Sequence, residues 1–218
     1  MSSADLRHEY ALYRQGYRHV AGLDEAGRGA WAGPVVAGAV ILPLDRFDLA
    51  HVLAGVNDSK QLTPAERERL LPIIIDTAVA VGVGHANHEE IDLLGIVPAT
   101  RLAMERAIAR LAVAPDVLLT DALRLSFSDL PCVAMTKGDQ RSLSIAAASI
   151  VAKVTRDHHM DDLDALYPQY GFRYHKGYGT ALHQRMLQQF GPCPEHRISY
   201  APVRALLPPV DHEEPSPR

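Results

Sequence analysis

The chain of 218 residues carries 22 Lys/Arg against 26 Asp/Glu, a net charge of −4, with 47% hydrophobic and 22% charged residues. That is the balance of an ordinary globular protein with apolar material for one core, and it argues against indiscriminate nucleic-acid binding. Cys132 and Cys193 are too far apart for a disulfide framework or a paired-cysteine zinc site, and neither a signal-type leader nor a run of ~18 apolar residues is seen, so a cytoplasmic location is expected.

In chain order, Met1 to Gln15 reads as a short helix. Val20–Asp24 and Pro34–Leu42 read as strands bounded by glycine and proline. Asn57-Asp-Ser-Lys-Gln61 is a polar loop. Thr63 is an N-cap before Pro64, with Glu66 completing a capping box for a helix to about Ile75. Ala78–Gly84 is a third strand. Asn87 or His88 opens a helix through Leu94, and Pro98 starts another with Leu102, Ala103, Ala107, Ile108 and Leu111 on one face. Asp116–Asp121 is an apolar strand ending in an acid, and Pro131–Met135 is a fifth strand. A long helix runs from Leu143 to about Leu166, small-residue-rich at its start. Further helices span Thr180–Phe190 and follow Ala201. The Pro-rich tail 208–218 has the composition of a disordered segment, leaving 1–207 as one domain.

Early strands on short connections, then strands alternating with helices, predict one mixed sheet covered by helices. The first two strands should pair antiparallel. A helix precedes the Asp116 strand, so that strand should join the first in parallel. Asp24 and Asp121 would then end neighbouring strands at one sheet edge.

Most of the chemistry sits in Asp24-Glu25-Ala-Gly27-Arg28-Gly29. Adjacent strand side chains point to opposite faces, so the two carboxylates diverge unless the strand ends or bends between them. A polar hairpin turn is the plain alternative, but a turn needs no cation between two glycines, and Ala-Gly-Pro extends the connection. A dinucleotide-binding loop is excluded, because Ala32 stands where the third glycine belongs and a strand follows instead of a helix. Asp121, Asp139 and Asp157 are the other candidates. Converging acids repel unless a divalent cation neutralises them, and oxygen-only ligation favours Mg²⁺ or Mn²⁺. Two such ions serve phosphoryl transfer. Backbone groups of Gly27, Arg28 and Gly29 could then reach a ribose 2′-OH, and Tyr178 in His175-Lys-Gly-Tyr-Gly179 could stack on a sugar or base. Residues 137–204 carry 9 Lys/Arg against 6 Asp/Glu, a modestly basic half that could hold a phosphate backbone.

Together these stretches resemble ribonuclease HII. The matching motifs are Ala21-Gly-Leu-Asp-Glu-Ala-Gly-Arg-Gly29, Ala32-Gly-Pro-Val-Val-Ala37, Asn57-Asp-Ser-Lys-Gln-Leu62, Lys137-Gly-Asp139, Ala146–Asp157, Tyr167-Pro-Gln-Tyr-Gly171 and His175-Lys-Gly-Tyr178, in the family's order. The resemblance implies an RNase H-like α/β fold, a five-stranded mixed sheet flanked by helices with a helical C-terminal extension. It implies metal-dependent hydrolysis of RNA in RNA/DNA hybrids and cutting 5′ of single ribonucleotides in duplex DNA, leaving 3′-hydroxyl and 5′-phosphate ends. Carried over by position, Asp24, Glu25, Asp121 and Asp139 are the carboxylates for Mn²⁺ or Mg²⁺. Gly27, Arg28 and Gly29 resemble the 2′-OH-reading motif, and Tyr178 the junction tyrosine. Lys60, Lys137, Ser149 and Lys176 match positions for phosphate contacts, and Asp157 is assigned a structural role. A monomer acting on nucleic acid, without a membrane, is expected. One departure stands out: the family usually has Asp-Gly after the central strand, whereas here Ala122 follows Asp121, at a cost of roughly 1–2 kcal/mol if its φ is positive. A shifted Asp121 would leave a protein that binds hybrids or junctions with weak or no cleavage.

Overall fold

The computed structural model describes residues 4–123, Leu125 and 130–208. All of the tail expected to be disordered, apart from Pro208, lies outside the described residues. The elements are α1 (Arg7–Arg14), β1 (Val20–Ala26), β2 (Val35–Ile41), α2 (Leu49–Val52), α3 (Pro64–Thr77), β3 (Ala80–Ala86), α4 (His88–Leu94), α5 (Ile96–Ala109), β4 (Val117–Asp121), β5 (Cys132–Met135), α6 (Leu143–Leu166), α7 (Phe172–His175), α8 (Ala181–Phe190) and α9 (Ala201–Arg204). The sheet order is β3-β2-β1-β4-β5. β1 pairs antiparallel with β2 and parallel with β4, as expected.

Local sequence explains several boundaries. The Thr63/Glu66 capping box opens α3, and a second box formed by Asn87 and Glu90 opens α4; each satisfies helix N–H groups that would otherwise lack acceptors. β3 lies two residues later than the apolar run predicts. Ala78 closes α3 by donating to Ile74 O, and Val79 N reaches Ile41 O before the strand begins. α5 begins at Ile96, two residues before Pro98, because Pro fits the first turn of a helix.

Two helices cover the sheet. α6 lies on the face of Gly22 and Gly38, where a Cβ would come within 2.2 Å of Ser144 backbone and 2.5 Å of Ala148 O. Glycines opposite the Ala146-Ala-Ala-Ser149 stretch therefore let the longest helix sit directly on the central strands. α5 covers the other face, burying Ala99, Ala103, Met104 and Ala107. A third cluster, around Met160, Tyr170, Phe172 and Leu187, ties α7 and α8 to the C-terminal part of α6. Among the described residues no helix is long and apolar enough to cross a membrane.

Candidate active site

The register brings the acids together. β1 and β4 pair as far as Leu23↔Thr120, and the next step sets Asp24 beside Asp121 on the α6 face. β1 does not end between the two carboxylates as the sequence led us to expect; it stays paired with β2 through Ala26↔Val36. Asp24 and Glu25 accordingly take opposite faces. Asp24 is 4% exposed, while Glu25 lines a cleft that Ile96 of α5 and Lys153 of α6 also line. Asp139 sits in a 3-10 turn (Gly138–Gln140) directly before α6 and is 3% exposed. Asp121 holds that turn, its Oδ1 accepting from Gly138 N at 2.9 Å.

The electrostatics are those of an acidic site short of positive charge. Burial first, then the charges of Glu25 and Asp121, push the Asp24 carboxyl well above the usual carboxylate range. Burial raises Glu25 too, against the pull of Arg28, whose Nη1 lies 3.1 Å from Oε1. Asp139 is pushed up to about 6 by burial and by Asp58 and Asp121. Lys60 Nζ lies 3.6 Å from Asp139 Oδ2. Burial pulls the Lys60 ammonium down, but Asp24, Asp139, Asp58 and Asp121 outweigh it and raise it. One lysine does not offset this many acids. Among the described residues no three His, Cys, Asp or Glu side chains form a group placed to hold a metal ion together. The donor set nonetheless fits a hard divalent cation: it is all oxygen, burial and neighbouring acids raise Asp24, Glu25 and Asp139, and Glu25 Oε2 is buried without a hydrogen-bond partner.

Beside the acids opens a cleft of about 510 Å³, lined by Glu25, Gly27, Arg28, Gly29, Lys60 and Tyr178, among others. Gly27 has φ +96°, and a Cβ there would meet Arg156 Nε at 2.0 Å, so only glycine fits. The Tyr178 loop is joined to this segment by the Ala30↔Tyr178 bridge and by Trp31 N donating to Gly177 O at 2.8 Å.

Two of the expected phosphate contacts lie elsewhere. Ser149 is 2% exposed; its Oγ donates to Ala146 O and accepts from Ser59 N at 3.1 Å, so it anchors the Asn57–Gln61 loop. Lys176 turns its ammonium onto Asp161 and Asp157 O. Lys137 is exposed in a left-handed conformation at the start of the Asp139 turn, and Lys60 reaches both the cleft and the acids. Asp157 pairs with Lys153 and with Arg67 at 3.5 Å. Ala122 does take a left-handed conformation, with φ +53°. The strain is borne and Asp121 keeps its bond to Gly138.

Sequence reasoning missed four residues here. Asp58 Oδ2 accepts from Gln140 Nε2 at 3.2 Å, linking Lys60's loop to the Asp139 turn; it lay within the Asn57–Leu62 motif, of which only Lys60 was selected. Lys153 lines the cleft with its ammonium 5.9 Å from the Tyr178 ring centroid. Arg156 and Arg197 counted only as positive charge, yet both are fully buried.

The ribonuclease HII family model matches residues 21–203. Ribonuclease HII of Chloroflexus aurantiacus is 55% identical over 204 residues, 93% of this chain and 96% of that protein. The Roseiflexus castenholzii protein of the same name is 52% identical over 207 residues, 95% and 92% of the two chains. Among solved structures, ribonuclease H2 of Pyrococcus horikoshii superposes with a TM-score of 0.71 at 28% identity, covering 86% of this chain and 96% of that one. The chain belongs to the ribonuclease HII family and is an endoribonuclease of the ribonuclease H type.

Proposed function

We propose that this protein is a divalent-metal-dependent nuclease that hydrolyses the RNA strand of RNA/DNA hybrids and cuts 5′ of single ribonucleotides in duplex DNA, leaving 3′-hydroxyl and 5′-phosphate ends. The observation that carries the reading is the register neighbourhood of Asp24 and Asp121, with Asp139 beside them and the glycine-arginine-glycine cleft adjoining. Asp24, Glu25, Asp121 and Asp139 would hold Mg²⁺ or Mn²⁺. When bound, such an ion lowers the pKa of a water and stabilises charge on the leaving oxygen.

The chain's own groups do the remainder. Gly29 lines the cleft with open space at its Cα and an N–H that donates to nothing among the described residues; it suits a ribose 2′-OH, the group that separates RNA from DNA. Tyr178 offers a half-exposed ring at the same cleft for stacking on the neighbouring sugar. Lys60 and Lys153 supply positive charge to a phosphate backbone. The test is a DNA duplex containing one ribonucleotide, with Mg²⁺ or Mn²⁺. Cutting on its 5′ side, lost in Asp24→Asn, is the expected result. Tight binding without metal-dependent cutting would favour a hybrid-binding protein instead.

A further inference from the structure

Arg156 and Arg197 are large, cationic and fully buried, and neither guanidinium pairs with a carboxylate among the described residues. Burying a charge is costly unless hydrogen bonds replace its water. Here those bonds go to carbonyls of one short segment and of the loop facing it. Arg156 Nε donates to Pro34 O at 2.9 Å, Nη2 to Ala32 O at 3.1 Å and Nη1 to Lys176 O at 2.9 Å. Its guanidinium carbon lies 5.4 Å from the Tyr178 ring centroid. Arg197 Nε donates to Gly33 O at 3.0 Å and Nη1 to Arg28 O at 2.9 Å. Tyr200 Oη donates to the same Arg28 carbonyl at 2.6 Å. Arg197 keeps this grip although its Nη2 has no hydrogen-bond partner among the described residues, a cost that requires a reason.

Peptide planarity supplies one. In a trans peptide the C=O of Arg28 and the N–H of Gly29 point in opposite directions. Two donors draw the Arg28 carbonyl inward, which turns the Gly29 N–H outward on the segment that lines the cleft. We propose that Arg197, with Tyr200, and Arg156 are positioning residues for ribonucleotide discrimination: the first pair aims the Gly29 N–H, and Arg156 fixes the Tyr178 loop against the same segment. The inference rests on the proposed ribonucleotide reading of this cleft. It adds that discrimination depends on side chains from the C-terminal half that never touch the substrate.

Tyr200→Phe is the cleanest probe. It deletes the hydroxyl that donates to Arg28 O and accepts from Arg197 Nη1 at 3.1 Å, and keeps the ring, whose centroid lies 5.3 Å from the Arg197 guanidinium. Two quantities are measured on the full chain: kcat/KM on a duplex with one ribonucleotide, and Kd for the same duplex in all-DNA form. Tyr200→Phe is expected to lower the first by roughly five- to tenfold, the worth of one to two hydrogen bonds, and to leave the second unchanged. Arg197→Lys, which keeps the charge but not the forked geometry, should lower kcat/KM further, again with an unchanged all-DNA Kd. Should Arg197→Lys fail to fold, which the emission of Trp31, the sole tryptophan and the acceptor of Arg197 N, would reveal, Tyr200→Phe decides alone. Unchanged kcat/KM in Tyr200→Phe, or equal losses in both quantities, overturns the inference while leaving the parent reading intact. A wild-type protein that does not cut the ribonucleotide duplex overturns the parent reading, and the inference with it.

Discussion

The acidic rim and the loop beside it follow opposite charge logic. At the rim, Asp24, Glu25 and Asp139 are raised by burial and by the charges of neighbouring acids, Asp121 among them, with Lys60 as a partial counter-charge. In the loop, two buried cations pair with no acid among the described residues and are held by five backbone carbonyls, with Arg197 Nη2 left without a partner. The rim is thus chemically incomplete and calls for positive charge from outside. The loop is tied down by these bonds, and the Gly29 N–H is left open to the cleft. On the proposed reading, one region binds the ion and reacts and the other recognises the ribose.

Substitutions that break this contrast should differ in kind. The largest effect is expected from Asp24→Asn or Asp121→Asn, which should cut the turnover of a ribonucleotide-containing duplex by about a thousandfold or more, the consequence of losing several kcal/mol of metal-held stabilisation. Next comes Tyr178→Ala: cleavage at single ribonucleotides should drop by roughly tenfold, in keeping with the worth of one stacked ring, while the all-DNA Kd barely moves. Equal losses in both would remove its recognition role.

Stability should respond with the opposite sign at the rim. Asp139, pushed up to about 6 against an ordinary 3.8, disfavours its ionised form in the fold, so the protein loses stability as pH rises through that interval. In EDTA at pH 7.5, Asp139→Asn should therefore melt ~2–4 °C above wild type, the shift that about 1 kcal/mol produces in a chain of this size, and the gap should close by pH 4. A gap independent of pH would detach it from this carboxyl. The smallest effect belongs to Ala122→Gly. Its relief of a left-handed alanine should add about 1 kcal/mol in denaturant unfolding and leave turnover almost unchanged.

Much of this was legible in the sequence wherever one local pattern determines the outcome. Glycine-bounded apolar runs gave the strands, the Thr63/Glu66 capping box gave the start of α3, and strand direction followed from whether a helix intervened. Asp24 and Asp121 could be placed together before any coordinates. What stayed hidden depends on partners distant in the chain. Ser149 read as a phosphate contact because nothing nearby indicates that Ser59 N, 90 residues away, takes its hydroxyl. Arg156 and Arg197 belonged to a basic half that could hold phosphates, yet both point inward to carbonyls 122 and 164 residues earlier. The continuation of β1 through Glu25 was missed because a glycine-rich flank permits a bend without requiring one.

The central claim is that the rim carboxylates hold a divalent cation. Titration with Mn²⁺, followed by the free-ion electron paramagnetic resonance signal, tests it without reference to turnover. Wild-type protein is expected to remove the free signal, and Asp24→Asn and Asp121→Asn, folded by circular dichroism, are expected to leave it largely intact. Equal uptake by all three proteins, or uptake by none, would contradict it.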